Sequence, residues 1–196
     1  MNNNIPNHSV PDESARLMRL ATYASVTVAV FLILVKLMAW SQSDSVSLLA
    51  TLIDSILDAF ASIINLFAVR HALTPADKEH RFGHGKAEAL AGLSQSLFIA
   101  GSALFLLIEV GSNIINPVEI KYPITSMIVV AVTIVVTLIL VCFQQYVIKK
   151  TQSVAITADA MHYKSYLLMN SAVILALWLS SMGLSIFDPI IGGIIA

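Results

Sequence analysis

Charge is scarce in this sequence. Only 12% of its 196 residues are Asp, Glu, Lys or Arg, while 57% are hydrophobic and the mean hydropathy is +0.82. An ordinary soluble domain has about a quarter of its residues charged. The deficit excludes a water-exposed globule and predicts an all-α polytopic membrane protein whose core is the interior of a helix bundle. Cysteine is nearly absent as well: Cys142 stands alone in an apolar run, so no intrachain disulfide forms. The net charge of −1 carries no information about nucleic-acid or acidic partners, and no nucleic-acid partner is expected. Heptad repeats, Gly-Ser linkers and a second soluble domain are missing. The sequence also has no H-E-x-x-H pair and no acid/base glutamate beside His162, which argues against an intramembrane metalloenzyme.

What the chain does have is long apolar runs. Roughly 20 apolar residues cross a bilayer core, and five stretches meet that length: about 17–40, 45–69, 87–115, 124–148 and 154–180. A sixth, 186–196, ends with the sequence at Ala196 and is too short to span, so it is expected to be an incomplete helix. Residues 1–16 form a polar N-terminal tail, too long in its polar stretch for a secretory leader. The first apolar run lacks a small-residue cleavage site and is expected to stay as a mature helix. Lys and Arg set the orientation. Arg16, Arg19, Arg70, Lys78, Arg81, Lys86, Lys149 and Lys150 lie on one side, against Lys121 and Lys36, the latter close to a helix end. This bias places the N-terminus and the loops near 70–86 and 149–153 in the cytoplasm. In the third run Gly92, Ser96 and Ala100 recur every four residues, a small-residue ridge expected to serve intramolecular helix packing rather than a dimer seam.

Several polar residues fall inside these runs, where an ionisable group marks a functional site by default. Asp54 and Asp58 are four residues apart, so both project from one helical face about 6 Å apart along the axis. Two close carboxylates repel unless a cation lies between them, and a divalent ion removes that repulsion. His162 lies at a matching depth in the fifth run, about 13 Å from its start. Imidazole and carboxylate together suit zinc and similar first-row ions. Position 166, on the same face as His162, completes a four-residue set. Asp159, one turn before His162, is either a relay at the cytoplasmic mouth or an acidic residue favoured by the helix dipole. Lys164 lies on another face and has no assigned role. The loop "LTPADKEHRFGHGKAEAL" holds a second set, Asp77, His80 and His84, a plausible zinc site whose backbone Gly83 and Gly85 would bend. Lys86 and Glu88 at the following helix start could instead pair ions that hold the loop or a partner domain.

These residues resemble the cation diffusion facilitator family, most closely its FieF/YiiP-type branch of bacterial zinc and iron efflux proteins. The matching stretches are "SVSLLATLIDSILDAFASIINLFAVRHAL", "PADKEHRFGHGKAEALAGLSQSLFIAGSALFL", "TQSVAITADAMHYKSYLLMN" and "FDPIIGGIIA". The resemblance implies six transmembrane helices, a homodimer in the bacterial inner membrane, and export of Zn²⁺, Fe²⁺ or Cd²⁺ in exchange for protons. It implies a transport site at Asp54, Asp58 and His162, a loop metal site at Asp77, His80 and His84, and a rim ion pair at Lys86. Two departures follow. The fourth ligand of the family pattern, an aspartate, is Tyr166 here, a bulkier phenol that is neutral at neutral pH. The cytoplasmic C-terminal domain of that branch is also not in this sequence. Tyr166 leaves open either a working three-ligand transporter or a transport-impaired metal-binding or scaffolding subunit.

Overall fold

The computed structural model describes residues 12–43, 46–81, 83–115 and 123–181. They form five helices: α1 (Asp12–Ser43), α2 (Val46–Ala72), α3 (Lys86–Ile115), α4 (Pro123–Thr151) and α5 (Val154–Ser181). Among the described residues there is no strand. The expected sixth element at 186–196, residues 1–11 of the polar tail, and Lys121 lie outside the described residues. The five apolar runs and the five helices coincide to within a few residues at each end, with one exception. Helix α1 begins at Asp12 rather than near residue 17, because Asp12 and Glu13 in its first turn suit the positive end of the helix dipole.

Among the described residues, four helices are long and apolar enough to cross a membrane: the spans 12–42, 51–72, 86–105 and 127–151. The expectation counted α5 as a fifth. Its 28 residues are long enough, but Asp159, His162, Lys164 and Asn170 dilute its apolar character. Outward faces carry large apolar groups such as Phe31, Leu34, Leu97, Phe105, Ile139 and Leu168, as lipid requires. Cys142 is exposed too.

The helices follow one another around a closed ring in the order α1, α2, α3, α5, α4, and α5 also touches α1 and α2 across the middle. Small side chains permit the close approach. Met18, Ala21, Val69, Ala91, Val147, Ala155 and Ile156 cluster where α1 and α3 and α5 begin and α2 and α4 end. At the other end Ala39 packs on Val129 beside Val35 and Trp40. Of the expected small-residue ridge, Gly92 alone is buried. A Cβ there would stand 3.2 Å from Val154 Cγ1, so this glycine serves the α3–α5 contact, while Ser96 and Ala100 are exposed.

Helices α4 and α5 are joined by Gln152 and Ser153 alone. Gln152 ends α4 in the left-handed region with φ 54° and donates its N–H to Ile148 O at 2.9 Å. Ser153 then caps α5, its Oγ accepting from Ile156 N at 3.2 Å. Glu88, at the start of α3, reaches the same cap: its Oε1 accepts from Ser153 Oγ and from Ala155 N. A carboxylate at a helix N-terminus is stabilising. Glu88→Ala should therefore lower stability by about 0.5–2 kcal/mol, the range for losing an N-cap. Thermal melting of the purified protein in detergent checks this, and an unchanged midpoint would contradict the capping role.

Candidate metal sites

The polar residues of α2 and α5 meet in the middle of the ring. His162 Nε2 lies 2.9 Å from Asp58 Oδ1, with the imidazole 8% exposed and the carboxylate 13% exposed. The two atoms are in contact without lining up as an N–H···O hydrogen bond. An imidazole nitrogen and a carboxylate oxygen are both groups that bind zinc and similar ions. Asp54, one turn earlier on α2, lies within Coulombic range of His162 and of Lys36. The ring of Tyr163 packs edge-on against His162 with centroids 5.4 Å apart. Its hydroxyl reaches Ser62 Oγ at 3.0 Å and Ser25 O at 3.3 Å, tying α5 to α2 and α1.

Tyr166 is on the expected face of α5 and is buried. Its Oη accepts a hydrogen bond from Lys36 Nζ at 2.5 Å. The ammonium also lies 5.2 Å from the ring centroid, the distance that an end-on approach through Oη gives, so the hydrogen bond and not a cation–π contact holds the pair. Lys36 further donates to Thr51 O at 3.0 Å and Ser55 Oγ at 2.6 Å. The side chain is 3% exposed. By sequence Lys36 groups with the outward-facing charges near a helix end. The structure instead turns it into the bundle, because three protein acceptors replace the water an ammonium needs.

Asp159 is fully buried where α1, α4 and α5 meet. Its Oδ2 accepts from Ser25 Oγ at 2.6 Å and Gln144 Nε2 at 2.7 Å, and Gln144 also donates to Ser25 Oγ at 3.0 Å. Asp159 lies six residues into α5, buried among these partners. Lys164 is exposed, as its angular position implied.

The second set converges too. The ligand atoms of Asp77, His80 and His84 all lie within 4.8 Å of one another. Asp77 Oδ1 accepts from the backbone of His80 at 2.6 Å and of Glu79 at 3.0 Å, a turn built by the aspartate itself. The same oxygen is 3.2 Å from His80 Nδ1, and Oδ2 is 3.7 Å from His84 Nε2. His84 Nδ1 faces Thr74 O at 3.3 Å, which directs Nε2 toward the cluster. Gly83 takes φ 75°, a conformation that favours glycine, whereas Gly85 does not use that region. His71, which sequence spacing did not select, packs against His84 with ring centroids 4.4 Å apart. Lys86 is exposed and has no ion-pair partner among the described residues.

The backbone N–H of His80 chiefly holds the Asp77 carboxyl below the usual carboxylate range, against a smaller opposing effect of desolvation. The His80 ring and the Glu79 N–H act in the same direction as the His80 backbone. A carboxyl depressed on folding contributes order that is present above its unfolded value and lost as pH falls through the lower folded one. Asp77 should thus titrate with a midpoint below 3.8, the ordinary value. Infrared difference titration against Asp77→Asn reads this directly, and a midpoint at or above the ordinary value would contradict it.

The model of the cation efflux transmembrane domain matches residues 22–196. The chain belongs to the cation efflux family. It is 48% identical over 185 residues to the cation-efflux pump FieF of Pectobacterium carotovorum, covering 92% of this chain and 62% of that protein. Against the cation-efflux pump FieF of Cronobacter sakazakii it is 47% identical over 175 residues, covering 89% and 58%. The FieF pump of Yersinia enterocolitica is 48% identical over 169 residues, covering 86% and 56%. This cation efflux domain therefore spans about three-fifths of the length of the curated relatives it matches. The cation diffusion facilitator resemblance and the all-α membrane fold are both borne out. All of the clustered residues lie inside the matched region.

Proposed function

We propose that this domain carries divalent metal ions, Zn²⁺ foremost and Fe²⁺ or Cd²⁺ besides, from cytoplasm to periplasm by proton antiport. The observation that carries the reading is the contact between His162 Nε2 and Asp58 Oδ1 at 2.9 Å, which joins α5 to α2 inside the bundle. Asp54, Asp58 and His162 bind the ion, with Tyr166 at the fourth position. Metal needs these ligands deprotonated, so metal and protons exclude one another at one site, which is the physical basis of exchange. Rocking of the bundle exposes the site first to one side and then to the other. Asp159, within Coulombic range of His162, is the relay on the cytoplasmic path. Asp77, His80 and His84 form a separate loop site that holds a metal ion at the cytoplasmic face. Lys86 at the rim is free to meet a second copy in a homodimer. The protein is a secondary transporter rather than an enzyme, in a bacterial inner membrane with its N-terminus in the cytoplasm. The relatives' printed names, cation-efflux pumps, support this reading.

The competing reading, a transport-impaired metal-binding or scaffolding subunit, is favoured by one observation: Tyr166 Oη is engaged by Lys36. The deciding experiment is metal-driven proton flux in reconstituted vesicles. Loss of flux in Asp54→Ala and Asp58→Asn supports transport through this site. Unchanged flux would remove these residues from it.

A further inference from the structure

The proposed transport site has a cation of its own. Lys36 Nζ spends all three of its N–H donors inside the protein, on Thr51 O, Ser55 Oγ and Tyr166 Oη. Two of these acceptors sit on α2 in the turns that carry Asp54 and Asp58, and the third is the residue at the fourth ligand position. Both carboxylates lie within its Coulombic range. An ammonium this buried is expensive unless compensated, and two carboxylates compensate it. The four-carbon stem lets the head group reach this point from α1 while its own backbone stays outside the ligand set.

We propose that Lys36 is a specificity-determining residue of the transport site: a tethered countercharge, docked on Tyr166, that weakens metal binding and favours release. The inference rests on the assignment of Asp54, Asp58 and His162 as ligands. With neutral His162, the two carboxylates alone present a charge of two minus to an ion. Lys36 cancels one of these. A divalent ion entering the site meets repulsion from the ammonium and half the net attraction it would otherwise find. The repulsion scales with the charge of the ion, so it is larger for a divalent than for a monovalent metal ion. Lys36 thus loosens the hold of the site on a divalent ion. Tyr166 is the dock because a phenol oxygen accepts a hydrogen bond from the ammonium while adding no charge of its own.

The test is Zn²⁺ affinity, measured by competition with a fluorescent chelator on the purified chain. A His80→Ala background reduces binding at the loop. Lys36→Met and Lys36→Gln remove the charge, and Gln retains a hydrogen-bond donor so that one of the two keeps the packing. Either folded variant should bind Zn²⁺ at least about tenfold more tightly. Lys36→Arg, which restores the charge, should stay within about threefold of the parent. A merely structural lysine would give the opposite: weaker or unchanged binding in Met and Gln. If Asp58→Asn abolishes binding while the Lys36 variants leave it unchanged, the countercharge idea fails and the ligand assignment stands. If Asp58→Asn leaves binding intact, both fail together.

Discussion

Asp58→Asn is expected to reduce Zn²⁺ affinity at the mid-membrane site by more than about a hundredfold, with flux falling in step. Losing a group that merely orients a ligand costs roughly 10–100-fold. In the proposed site Asp58 would do more: it would supply charge and a coordinating oxygen besides its contact with His162 at 2.9 Å. Asparagine keeps the volume and loses the charge, so packing is held nearly constant. Asp54→Ala should have a comparable effect, since Asp54 projects from the same face one turn away. A thermal melt near that of the parent separates lost binding from lost folding. A Kd within about threefold of the parent, in a protein that still melts normally, would remove Asp58 from the site.

Tyr166→Asp should move affinity the other way. An anionic oxygen replaces a neutral phenol at the fourth corner, completing the tetrahedral set that zinc prefers. The structure adds a condition. Position 166 receives a hydrogen bond from Lys36, so a new carboxylate there first pairs with the ammonium. The single variant is expected to gain about tenfold in Zn²⁺ affinity, and Tyr166→Asp with Lys36→Met substantially more than the sum of the separate gains, because neighbours in one network do not add. If vesicle flux recovers strongly with Tyr166→Asp, the parent is an impaired transporter. If flux is unchanged while affinity rises, the parent already works with three ligands. Unchanged affinity in both the single and the double variant would show that position 166 is outside the site.

The sequence carries the parts of this molecule that repeat with helical period. Runs of apolar residues locate the five helices, and the four-residue spacings of Asp54 with Asp58 and His162 with Tyr166 predict which faces meet. The loop cluster is legible for a related reason, since Asp77, His80 and His84 are close in sequence and a turn brings them together. What escapes is everything decided by the direction of a long side chain. Lys36 looks like a flanking charge until the stem is seen to turn inward across α2 to α5. Glu88 suggests an ion pair, yet its carboxylate closes the N-terminus of α5. Ser25 and Gln144 carry no motif, and only the packing of α1, α4 and α5 puts both on Asp159. His71 is recognisable only once His84 folds against it.

The two-residue connection between α4 and α5 has a mechanical consequence. Gln152 and Ser153 leave no slack: one closes α4 in the left-handed region and the other caps α5. A tilt of α5 would pivot at this short turn. His162 stands nine residues beyond Ser153, about 13 Å along α5 at the helical rise. A swing of about 10° at the turn carries its ring roughly 2 Å sideways, as long as a zinc–nitrogen bond. At the proposed site a very small angular motion would therefore be enough to make or break coordination by His162, a displacement of one bond length.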